Sequence, residues 1–156
     1  MPTSRPRQAA RERIEDSFGQ VWPVHLTGFT DLLVRLRAEF GGDLDLMLVL
    51  AVIADRTRPG DWTPELLTYN QLTHRSDTGS PQRPINLQSV AEYSGIPRET
   101  VRRKVRMLEQ RGWVMRHEDG SLAVGPAAAT DLGEATAHSI TYLAALLTAL
   151  GPLHRG

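Results

Sequence analysis

Four arginines and a lysine stand within the nine residues 98–106: Arg98, Arg102, Arg103, Lys104 and Arg106. A guanidinium presents its N–H donors as a planar fork, which matches the two acceptors of a phosphate or of a guanine edge. At ~100° per residue on a helix, Arg98, Glu99, Arg102, Arg103 and Arg106 fall on one side. Val101, Val105 and Leu108 recur on the other as an apolar stripe. A helix pinned by that stripe projects bidentate cations away from its core, the geometry needed to enter a major groove and reach base edges and phosphates.

Several elements must hold such a helix in place. Asn86 is an N-cap residue, and the helix after it turns Val90 and Ala91 inward, Ala91 being small where two helices cross. Gly95 suits the left-handed conformation of a sharp turn, and Ile96 fills the angle between the helices. Pro97 opens the basic helix, where its missing N–H costs nothing, and Gly112 closes it. Residues 113–117 and 121–124 then alternate around Glu118-Asp119-Gly120, and Asp-Gly is a strong hairpin-turn signal. The spacing predicts a basic recognition helix over about 97–111 and a hairpin wing over 113–124.

These stretches resemble the winged helix-turn-helix of bacterial regulators of the GntR, IclR and MarR types. The resemblance is carried by Val90-Ala91, by Ser94-Gly95-Ile96-Pro97-Arg98-Glu99-Thr100-Val101-Arg102-Arg103 and by Leu108-Glu109-Gln110-Arg111-Gly112-Trp113-Val114. Residues 120–126, ending Leu-Ala-Val-Gly-Pro, are similar to the end of the IclR-type wing. The resemblance covers roughly 84–126. It implies that Arg98, Glu99, Thr100 and Arg102 face double-stranded DNA, and that Arg116 and His117 of the wing reach the backbone or the minor groove. A chain of this length is expected to lack the large effector domains of the IclR and GntR types, and helices on both sides of the winged segment are more like the MarR arrangement.

Charge agrees with a focused basic surface. The 156-residue chain has no net charge, yet residues 81–117 carry eight cations against three acids, about +5, and the remainder about −5. A solvated, salt-bridged helix is the alternative explanation of that charge. There is no cysteine, which excludes disulfide frameworks and thiolate zinc sites. His25, His74, His117, His138 and His154 are scattered without metal-ligand spacing, so neither metal nor cofactor is expected. His74, Ser76, Asp77 and Ser80 form no recognisable triad or nucleophile elbow, and Gly41-Gly42 leads into no phosphate loop. Binding is expected, and catalysis is not. The longest apolar run, Leu46 to Ala54, is too short to span a bilayer, and the N-terminus shows no secretion signal, so a cytoplasmic protein is expected.

The whole reads as mainly α with a small β-hairpin wing: a winged helix-turn-helix flanked by N- and C-terminal dimerisation helices in one compact domain. Residues 1–58 form the N-terminal helical region, 59–83 a long loop, 84–126 the winged segment and 127–156 a C-terminal helix. Met1 to about Glu12 is expected to fray, and a short helix to stop before Pro23. Phe29, Leu32, Leu33, Leu36 and Phe40 mark a helix ended by Gly41-Gly42. Asp43 caps an apolar helix running to about Thr57. Thr130 or Asp131 is expected to cap the last helix, with Glu134 completing a capping box. There Ile140, Leu143, Leu147 and Leu150, widened by Leu146, make a heptad-like seam suited to a homodimer. Trp22, Trp62 and Tyr69 either pack together or line a pocket for a small-molecule effector. Between DNA and an acidic protein partner, the clustering of Arg102, Arg103, Lys104 and Arg106 favours DNA.

Overall fold

The computed structural model describes residues 4–58 and 83–152; the predicted loop, apart from Arg83, lies outside them, as do Trp62, Tyr69, His74 and His154. Seven helices and one hairpin occupy the described residues: α1 (Ser4–Asp16), α2 (Phe18–Glu39), α3 (Leu44–Arg56), α4 (Leu87–Ser94), α5 (Arg98–Gln110), β1 (Val114–Arg116), β2 (Leu122–Val124), α6 (Ala127–Asp131) and α7 (Gly133–Leu150). The chain is mainly helical with a small antiparallel hairpin. It divides into two compact units, residues 40–133 and residues 1–39 with 134–156, rather than one compact domain. The apolar helix α3, grouped by sequence with the N-terminal region, belongs to the 40–133 unit.

In the 40–133 unit, α3 starts where Asp43 accepts a hydrogen bond from the Leu46 amide at 2.9 Å. It is apolar nearly all round because Leu46, Val49, Leu50, Val52 and Ile53 are all buried. α4 starts at the Asn86 cap, whose Oδ1 accepts from the Ser89 amide at 2.9 Å. It stops at Gly95, whose φ of +74° turns the chain into α5. Pro97 precedes the first helical residue of α5, and its carbonyl accepts the Val101 amide at 2.9 Å. Val101, Val105 and Leu108 are fully buried, each worth about 1.5–3 kcal/mol on transfer from water.

The hairpin pairs Val114 with Val124, Met115 with Ala123 and Arg116 with Leu122. Its turn rests on Gly120 at φ +84° and on Asp119, whose Oδ1 accepts from both the amide and the hydroxyl of Ser121. Ile85, just before α4, bridges Leu122 on the far edge, with the Leu122 amide donating to the Ile85 carbonyl at 2.7 Å. Sequence periodicity carries no sign of this third strand-like contact, since it is one residue long.

The other unit departs further from expectation. α1 is helical from Ser4 instead of frayed, and α2 runs through Pro23 instead of stopping before it. A column of rings spans the proline on α2: Phe18 stacks on Trp22 at 4.9 Å, and Trp22 and Phe29 flank His25. His25 Nδ1 lies 2.6 Å from the Tyr142 hydroxyl of α7. Gly28 makes room for that tyrosine, because an added Cβ would sit 2.8 Å from its ring. Arg13 donates to the carbonyls of Leu150, Gly151 and Pro152, satisfying the open C-terminal end of α7.

The last helix does not begin at a capping box on Asp131. That residue ends α6 instead, and its carboxylate accepts from Trp113 Nε1 at 2.8 Å, so it is engaged elsewhere. Among the described residues, no helix is long and apolar enough to cross a membrane.

Candidate nucleic-acid interface

α5 presents the basic residues because its opposite face is fixed in the core. Arg98, Glu99, Arg102, Arg103 and Arg106 are all exposed, as are Arg116 and His117 on the hairpin. Thr100 is half-buried and, at ~100° per residue, lies beside Lys104 and off the arginine arc. The structure therefore brings the four arginines and Glu99 onto one face and leaves Thr100 outside it.

Not all of these cations are free. Lys104 is turned back to Asp43 at 2.5 Å, with both side chains mostly covered. It is a structural cation joining the start of α3 to the middle of α5. Arg102 is bound by Glu99 one turn back on the same helix, and Arg116 by Glu109 at 3.3 Å across the helix–strand junction. Arg111 lies over the Trp113 ring, 4.9 Å from its centroid. Among the described residues Arg98, Arg103 and Arg106 have no carboxylate partner. The acids Glu99 and Glu109 are visible in the sequence, but only geometry shows which arginine each one holds.

Asp43 has two roles, since one oxygen caps α3 and the other accepts from Lys104 Nζ. Burial pushes its carboxyl up, but the hydrogen bonds from Lys104 and the Leu46 amide, with the charges of Lys104 and Arg111, hold it below the usual 3.8. A depressed folded value means the carboxylate stabilises the fold above 3.8, and the contribution disappears as pH falls through the lowered value. Asp43→Asn keeps an N-cap and removes the charge. It is expected to be less stable than wild type in urea at pH 7, with the gap narrowing below pH 3.8; a gap independent of pH would sink this assignment.

At the hairpin tip, the hydroxyl and amide of Ser121 hold the Asp119 carboxyl below its ordinary value, with a smaller contribution from His117. A separate groove of about 460 Å³ is lined by Arg56, Pro84, Ile85, Ser89, Glu92 and Tyr93. The Arg56 guanidinium lies 3.8 Å above the Tyr93 ring there. Of the three aromatics considered for an effector pocket, only Trp22 is described, and it packs into the α2 ring column. Among the described residues no three His, Asp or Glu side chains gather as a metal would require. Comparison of the chain with protein-family models, with curated proteins and with solved structures returns no match.

Proposed function

We propose that the chain is a sequence-specific DNA-binding regulator that works as a homodimer in the cytoplasm, with α5 as the recognition helix and the β1–β2 hairpin as the wing. The observation that carries this reading is the face of α5. Arg98, Arg103 and Arg106, without a carboxylate partner among the described residues, project from a helix whose opposite stripe, Val101, Val105 and Leu108, is wholly buried. The order of elements also supports it. A core helix, a bridging residue at Ile85, two helices joined at a left-handed glycine and then a hairpin follow the winged helix-turn-helix plan. On this reading Arg116 and His117, exposed on the hairpin, are the residues that reach the DNA backbone or minor groove.

Two half-sites give a small module enough base contacts, which favours pairing of two chains. Ile140, Leu143 and Leu147 on α7 are exposed in the spacing of a heptad seam, a surface a second copy would cover.

The test is selection from a random duplex library followed by titration at several salt concentrations. Enrichment of a two-fold symmetric site, bound by two chains, is the expected result. Arg102→Ala should weaken binding to that site by about 1–3 kcal/mol, whereas Lys104→Ala should leave base preference unchanged. No enrichment and no salt-dependent binding would remove the DNA reading. Capture of an acidic protein that survives nuclease and high salt would put a protein-interaction module in its place.

A further inference from the structure

The exposed arginines of the basic surface fall into two classes. Arg98, Arg103 and Arg106 lack an acidic partner among the described residues, whereas Arg102 and Arg116 are each held by a carboxylate of their own chain. Glu99 belongs to the first turn of α5 and its side chain is 75% exposed, so it shares the face that would meet a ligand. Glu109 stands near the other end of α5, and Arg116 reaches it from β1. Each end of the basic surface thus carries one carboxylate with one arginine attached.

Resting on the DNA-binding reading above, we propose that Glu99 and Glu109 are specificity-determining residues that withhold Arg102 and Arg116 from the phosphates of an arbitrary duplex. An exposed ion pair is weak and exchanges readily. Turning Arg102 or Arg116 onto a phosphate, however, leaves a bare carboxylate facing the anionic backbone. That repulsion cancels most of the gain unless the duplex offers an acceptor placed to take the arginine while the carboxylate stays satisfied. Glu99 has such an outlet, since a carboxylate accepts from the amino group of cytosine in the major groove. The three free arginines therefore govern non-specific attachment, and the two held arginines engage on the matched site. Discrimination arises from what the surface declines to bind as well as from what it binds.

The experiment compares the duplex enriched from the library with a shuffled version of it, by anisotropy titration of the full chain across salt concentrations. Each phosphate neutralised contributes about −0.9 to the slope of log affinity against log salt. The double variant Glu99→Gln, Glu109→Gln should steepen the slope on the shuffled duplex by about 1–2 per chain. It should bind the shuffled duplex roughly tenfold more tightly at moderate salt and gain much less on the enriched one, so the specificity ratio falls. Arg106→Ala should flatten the shuffled-duplex slope by about 1, while Arg102→Ala should leave that slope unchanged and weaken the enriched site more than the shuffled one, which loses only what the bared Glu99 repels. Glu118→Gln is the control for either single substitution, Glu99→Gln or Glu109→Gln, because it removes the same one charge from the exposed wing turn, where among the described residues no arginine is held. Thermal melts of the variants, all altered at surface side chains, confirm that they are folded. Wild-type slope and specificity ratio in the double variant would overturn the proposal, as would a response from Glu118→Gln equal to that of either single variant. A wild-type chain that binds neither duplex at any salt overturns the DNA reading itself, and this inference with it.

Discussion

Replacing Trp113 by alanine is expected to lower the unfolding free energy by about 3–5 kcal/mol, the range for losing a buried tryptophan from a core. Trp113 is 7% exposed and stands between the end of α5 and the first residue of β1. Its ring meets Phe40 edge-on at 5.5 Å, and Arg111 lies over it. Its indole N–H donates to Asp131, which fixes α6 against the start of the hairpin. Trp113→Phe separates the two contributions, because it keeps most of the apolar area and deletes the hydrogen bond. An intermediate loss of about 1–3 kcal/mol is expected, since Asp131 loses its partner. Urea denaturation at neutral pH measures both, and a Trp113→Ala chain within 1 kcal/mol of wild type would contradict this placement of the residue.

Gly125→Ala should also be damaging, for a different reason. The Gly125 amide donates to the Trp113 carbonyl at 2.7 Å, and the two backbones run so close that a Cβ would sit 2.1 Å from the Gly112 carbonyl oxygen. Both neighbours are main chain, so no rotamer change relieves the clash, and overpacking of this kind costs about 1–3 kcal/mol or more. Gly120 provides the contrast. It has a positive φ of +84° but open space around it, so Gly120→Asn, a residue that tolerates this conformation, should melt close to wild type. Melting temperatures of the two variants decide the matter; equal, small shifts would mean that the close approach at Gly125 is readily relaxed.

Where local chemistry decides the structure, the sequence was readable. The Asn86 cap, the left-handed Gly95, the stripe Val101–Val105–Leu108 and the Asp119-Gly120 turn each depend on residues within a few positions of one another. The features that were not legible depend on distant partners. Pro23 breaks one intrahelical hydrogen bond, yet α2 continues because stacked rings on both sides of it, with Tyr142 against His25 and Phe29, hold the helix together. Asp131 looks like a helix cap until Trp113, 18 residues earlier, takes its carboxylate. Lys104 looks like one more cation of the basic face until Asp43, 61 residues away, claims it. The exposed surface was legible as a basic helix, but its division into free and held arginines was not, since an acid one turn away is as close in sequence whether or not it is bound.

The division of the chain has a consequence for its synthesis. The unit over 40–133 is one uninterrupted stretch, whereas the other needs both residues 1–39 and residues 134–156. Tyr142 follows His25 by 117 positions, so at ~5–20 residues/s the ribosome makes it roughly 6–23 s later. Through that interval the rings of α2 have no tyrosine to close on, while α3, α4, α5 and the hairpin are translated one after another ahead of it. The period of greatest exposure to aggregation or chaperone capture thus belongs to α1 and α2, and it ends only when α7 leaves the exit tunnel.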